Sequence, residues 1–168
     1  MTSRDLLTDA SKALGLERQL TLVEPHRYQD ILERIISVRT LLPRRATNAL
    51  WWWESLREPV ASFQPNAPLQ ALHLLIPRDE VVWFVVEELT GSKKHGNFWL
   101  YESTVDVIYA ALGEMPHVEY YIVSKNCDWL ICENHHGLLI ASGEEMATKL
   151  SKLSRQLHPT STSRSADR

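Results

Sequence analysis

Apolar residues follow two regimes along the chain. They recur with helical spacing near the N-terminus and again at the end, and they crowd into dense β-branched and aromatic runs in between. Leu6, Leu7, Ala10, Ala13 and Leu14 predict a first helix, which Ser3 or Asp5 can cap and Gly15 ends. Leu20 to Val23 reads as a short extended link. Pro25 suits the first turn of a second helix reaching about Thr40, with an apolar stripe of Tyr28, Ile31, Leu32, Ile35, Ile36 and Val38. A third helix is expected from Thr47 to Arg57, ended by Pro59, and it would carry Trp51, Trp52 and Trp53. Consecutive helical side chains point about 100° apart, so at least one of these tryptophans should sit at the edge of the core or on the surface. Residues 58 to 68, rich in proline, read as a loop, and Leu69 to Ile76 as a short apolar helix.

Val81 to Val86 is the strongest strand pattern, apolar on both faces and therefore placed centrally in a sheet. A polar loop follows over 89 to 97, then a short strand, Phe98 to Tyr101. Ser103 or Thr104 caps a helix carrying Val105, Ile108, Tyr109 and Leu112. Residues 117 to 143 hold three further strand-like runs, 118–124, 129–134 and 138–141. Lys125-Asn126-Cys127-Asp128 supplies the first turn and His136-Gly137 the second, which predicts an antiparallel meander. Glu144 and Glu145 open a last helix with Met146, Leu150 and Leu153. The expected fold is α+β: one mostly antiparallel sheet of about five strands (about 81–86, 98–101, 118–124, 129–134, 138–141), with helices packed on it. A single domain should span 1–156, with N-terminal helices over 1–76 and the sheet region over 77–156. Residues 157–168 should form a disordered tail.

Composition adds bounds. The 168 residues are 44% hydrophobic and 23% charged, an ordinary globular balance. No run is apolar enough for a membrane span, and the acidic N-terminus does not suit a signal peptide. Two cysteines, Cys127 and Cys132, read as reduced thiols, so a cytoplasmic protein is expected. Charge is uneven. Residues 1–78 carry 10 Lys/Arg and 8 Asp/Glu, a net of +2, while 79–145 carry 3 and 12, a net of −9. A field of that sign disfavours nucleic acid and attracts basic proteins. The acids expected to contribute are Glu87, Glu88, Glu102, Asp106, Glu119 and Glu133, some of them scattered or buried so that only a subset matters, alongside a hot spot at Trp51 to Trp53.

Candidate chemistry is sparse. Glu133-Asn134-His135-His136 is the densest cluster of ligand-type residues. Strand alternation would send Glu133 and His135 one way and Asn134 and His136 the other, too few per face for a metal. Cys132 could act as a nucleophile with His135 or His136, or simply be a small buried hydrophobe. No His-Glu-x-x-His, phosphate-binding glycine loop, Cys-x-x-Cys or Gly-x-Ser-x-Gly occurs. The residues imply no metal and no cofactor.

Tyr120 to Lys125, Asp128-Trp129-Leu130 and Cys132 to His136, with Trp83-Phe84 and Phe98 to Glu102 before them, resemble a family of small uncharacterised bacterial proteins across roughly residues 80 to 145. That resemblance implies no assigned activity. The small sheet-plus-helices form is similar to that of bacterial immunity and toxin-neutralising proteins. The leading expectation is a non-enzymatic binding protein, immunity-like, that offers an acidic face to a basic partner. The alternatives are a metal-dependent or Cys/His hydrolase near Glu133 to His136, and a structural homodimer joined through the tryptophans or an edge strand.

Overall fold

The computed structural model describes residues 1–88 and 96–158. Most of the loop expected over 89–97, and the tail after His158, lie outside them. Among the described residues, five α-helices and seven strands follow in the order α1 (Ser3–Ala13), β1 (Thr21–Leu22), α2 (Pro25–Arg39), β2 (Val60–Phe63), α3 (Pro68–Leu75), β3 (Val81–Glu87), β4 (Phe98–Thr104), α4 (Val105–Gly113), β5 (Tyr120–Ser124), β6 (Leu130–Glu133), β7 (Leu139–Ser142) and α5 (Glu144–Leu157). The strands form one sheet in the order β1-β4-β3-β5-β6-β7-β2, and every neighbouring pair is antiparallel. The fold is α+β, as expected, but the sheet has seven strands rather than about five. Among the described residues no helix is long and apolar enough to cross a membrane.

Both extra strands are edges. β1 is two residues long and lies in the expected extended link. β2 falls inside the expected loop, pairing Val60 to Ser142 and Phe63 to Leu139. Proline is tolerated at the start of an edge strand, so Pro59 marks where β2 begins rather than arguing against it.

Alternation along the strands builds two cores. On one face Val82, Phe84, Tyr120, Ile122, Ile131 and Leu139 meet α1, α3, α4 and α5 through residues such as Leu7, Leu72, Ile108 and Leu150. On the other, Trp83, Val85, Phe98, Tyr121, Val123 and Cys132 meet Leu32, Ile35 and Ile36 of α2 and the buried Trp52. A sheet covered on both sides needs strands apolar on both sides, which accounts for Val81–Val86 and for Tyr120–Val123. Trp129, just before β6, is buried in the helix-covered core.

Local signals were partly displaced. Thr2, not Ser3 or Asp5, caps α1, and Asp5 completes a reciprocal capping box. The β5–β6 turn takes its left-handed residue at Cys127 (φ 62°) rather than at Asn126 or Asp128. There Ser124 Oγ accepts from the amides of Asp128 at 2.8 Å and Trp129 at 3.2 Å. The largest departure is the third helix. Residues 47–57 contain a single 3-10 turn, Trp52–Ser55, and the chain then bridges back from Leu56 to Thr40. A regular helix would fan the three tryptophans around its axis. The tighter path drives Trp52 into the core, with its ring 4.6 Å from Phe98 and 4.9 Å from Tyr121. Burying that ring outweighs a helical propensity worth only tenths of a kcal/mol per residue.

Candidate functional site

Trp51 has left-handed backbone angles, φ 56° and ψ 51°. An aromatic residue there is an outlier, held in place because the 3-10 turn locks Trp52 below it. The consequence is that Trp51 faces outward and is 47% exposed, while Trp53 is half-buried. Their neighbour is His135, with ring centroids 6.3 Å from Trp51 and 5.9 Å from Trp53. His136 lies 4.0 Å from His135, ring to ring.

The turn that delivers these histidines is organised by Asn134. Its Oδ1 accepts from the amides of His136 at 3.0 Å and Leu138 at 3.1 Å, and its carbonyl accepts from Gly137 at 2.9 Å. Gly137 supplies the positive φ of 72°. β6 ends at Glu133, so strand alternation stops there and the turn swings His135 to the tryptophan side. The expectation that Glu133 and His135 share a face is therefore overturned.

His135 rests on buried acid. Its Nδ1 lies 3.2 Å from Glu119 Oε2, and Tyr121 donates to Glu119 Oε1 at 3.0 Å. The Glu119 side chain is 3% exposed. Glu87, at the end of β3, donates its amide to the Glu119 carbonyl at 3.0 Å. Burial pushes the Glu87 carboxyl up to about 7; Glu119 adds to the rise and His135 opposes it. One imidazole thus rests on the buried Glu119 carboxylate beside an exposed tryptophan, with the Glu87 carboxyl near enough to feel both charges.

Glu87 makes stability depend on pH. Its ordinary value is 4.5 and its folded value about 7. Between these the native carboxyl holds a proton that the unfolded one has released, so stability should fall as pH rises through that window. Glu87→Gln should abolish the dependence. At about pH 8 its melting temperature should exceed wild type by about 2–4 °C, close to 1 kcal/mol once half exposure is discounted. Near pH 4 the two should coincide. Melting curves across the window check this, and coincidence at both ends would show a well-hydrated Glu87.

The remaining candidates separate. Glu133 points to the helix-covered face, where Tyr120 donates to its Oε2 at 2.7 Å and His117 Nδ1 stands 3.4 Å from its Oε1. Cys132 is fully buried on the tryptophan side, and burial drives its thiol well above the ordinary range. A thiolate nucleophile is therefore disfavoured there. Among the described residues no three His, Cys, Asp or Glu side chains could hold a metal together. The acids named for the acidic face lie in several different surroundings. Glu88 is buried and takes hydrogen bonds from Ser3 and the Trp99 indole. Glu102 pairs with Lys125, whose ammonium also lies 3.1 Å from the centre of the Trp83 ring. Asp106 is exposed at the start of α4, within 3.3 Å of His73 and 3.8 Å of Arg78. Their physical fate follows from pairing: an acid in a small domain is buried where a hydroxyl or imidazole can meet it, whatever the local charge count. Tyr121 was missed as a site residue, as were Tyr120 and His117. The cross-strand register, Tyr120 opposite Glu133, is the signal that points to Tyr120; no register carries His117.

Fold and site together define a small α+β protein with a seven-stranded antiparallel sheet and an aromatic surface over buried carboxylates. Over residues 2–154 the chain matches a family of unknown function, DUF6756, and it belongs to that family. It is also similar to U3 small nucleolar RNA-associated protein 21 of Saccharomyces cerevisiae, 32% identical over 79 residues. That stretch is 45% of this chain and 8% of the yeast protein, so the chain spans a small part of its relative's length. No solved structure matches the chain significantly.

Proposed function

We propose that this is a non-enzymatic binding protein of the cytoplasm, and that its contact surface is centred on Trp51, Trp53, His135 and His136. The observation that carries the reading is Trp51, half-exposed on strained backbone beside His135, which itself rests on Glu119. An exposed tryptophan on a rigid turn is a characteristic anchor of protein–protein contacts. The buried Glu119 carboxylate, with Glu87 beside it ready to ionise near neutral pH, favours a partner that brings a lysine or arginine. In this reading the acidic character works locally, through Glu87 and Glu119, not across a broad face. Neutralisation of a basic toxin, as by an immunity protein, is one form such binding would take.

The test is capture of the adjacent gene's product, or of proteins from the source cell, on immobilised wild type and Trp51→Ala at two salt concentrations. Wild type should hold a basic protein, less so at high salt. Trp51→Ala should cost about 2 kcal/mol or more, roughly thirtyfold in Kd. Equal retention by both proteins would refute the site. Preferential capture of nucleic acid would refute the partner class.

A further inference from the structure

We infer that a second site, independent of the tryptophan surface, binds a small molecule with an apolar body and a primary ammonium group, in the groove between α3, α4 and the strands β5 and β6. The groove has a volume of about 320 Å³, within the range of small-ligand sites. Leu69, Tyr109, Leu112 and Met115 supply apolar wall, while Glu133 and His117 face the same space. The Glu133 side chain is 9% exposed.

Hydrogen-bond accounting at Glu133 specifies the missing group. Oε2 is filled by the Tyr120 hydroxyl at 2.7 Å. His117 Nε2 lies 3.1 Å from the carbonyl of Asn134, and a carbonyl can only accept, so Nε2 carries a proton. When that is the ring's only proton, Nδ1 turns a lone pair, not a donor, toward Glu133 Oε1. The 3.4 Å between Nδ1 and Oε1 exceeds the roughly 2.7–2.9 Å of a charge-assisted bond. Two acceptors thus face one another across a gap that a single donor group could bridge. An ammonium offers three N–H bonds, enough to meet both atoms, and its charge matches a buried carboxylate. A hydroxyl has one proton and no charge, so it can serve one acceptor and not the other. A cationic head at Glu133 leaves an attached apolar chain to lie along Leu69, Leu112 and Met115.

The probe is 3-phenylpropylamine, compared with the isosteric 3-phenylpropan-1-ol, by calorimetric titration in mildly alkaline buffer, where an ordinary imidazole is neutral. The amine should bind at least about tenfold more tightly than the alcohol, because the alcohol leaves one acceptor unmet. It should also shift the methyl resonances of Met115 and Leu112. Glu133→Gln should equalise the two compounds. Since Glu133 is buried and that variant could unfold, His117→Ala is the second arm: it is half-exposed and should weaken the amine several-fold while leaving the alcohol unchanged. Equal affinities for wild type, no binding of the amine tighter than about 1 mM, or methyl shifts confined to residues away from the groove would each overturn the inference.

Discussion

Trp52→Ala should lower stability by about 3–5 kcal/mol, enough to leave much of the protein unfolded or insoluble. Trp51→Ala, one residue away, should leave the melting temperature within about 2 °C of wild type, as surface substitutions usually do. Trp52 is fully buried and touches Phe98 of β4 and Tyr121 of β5, so its ring closes the core between two strands and α2. Removing it opens a cavity bounded by sheet on one side and a tight turn on the other, neither of which can collapse inward easily. The indole N–H has no hydrogen-bond partner among the described residues. Trp52→Phe should therefore cost clearly less than Trp52→Ala, because it retains most of the ring and discards an unmet donor. Urea denaturation of the three variants gives the ordering directly. A Trp52→Ala protein as stable as wild type would mean that the 52–55 turn packs elsewhere and that Trp51 is not held outward by it.

Gly143→Ala should be comparably damaging, by about 2–6 kcal/mol, combining backbone strain with overpacking. Gly143 joins β7 to α5 at φ +102°, where a side chain is strained. Space is also lacking. A Cβ there would stand 2.4 Å from the carbonyl oxygen of Asp128, 2.7 Å from Arg39 Nη1 and 3.0 Å from the Trp129 Cα. Arg39 could swing away, although its Nη1 also donates to that Asp128 carbonyl at 3.0 Å. The backbone at 128–129 cannot move without dislodging Trp129 from the core and disturbing Leu130 opposite Ser142. The free energy of unfolding by urea measures the effect, and a loss below about 0.5 kcal/mol would contradict this packing.

Val81 to Val86 was legible because a strand covered on both faces is apolar at every position. The meander was legible because its turns carry Asn, Asp and Gly between dense runs. β2 was hidden by the prolines around it, since an edge strand tolerates what an inner strand does not. The 47–57 segment was misread for a different reason. Spacing suggested a helix, but the destination of Trp52 between Phe98 and Tyr121 is a tertiary fact that no local pattern carries.

The site was legible in part. His135, His136 and the tryptophans were singled out separately, and the structure brings them together. Their conjunction depends on a turn that breaks alternation after Glu133, which side-chain parity along β6 could not anticipate. The charge count of residues 79–145 does not say where each acid goes. It measures how many acids are present, whereas Glu119 and Glu133 are withdrawn from the surface by tyrosine hydroxyls and histidines from neighbouring strands and loops. Glu87 matters more than its neighbours because it remains half-open beside one of them.

The most direct test of the central claim is amide exchange of the protein with and without a captured partner. Binding through the tryptophan surface should slow exchange at residues 50–55 and 134–137 together, two segments distant in sequence that meet at Trp51 and His135. Protection confined to α1, α3 or α4, with those two segments unchanged, would contradict it and move the binding surface to the opposite side of the sheet.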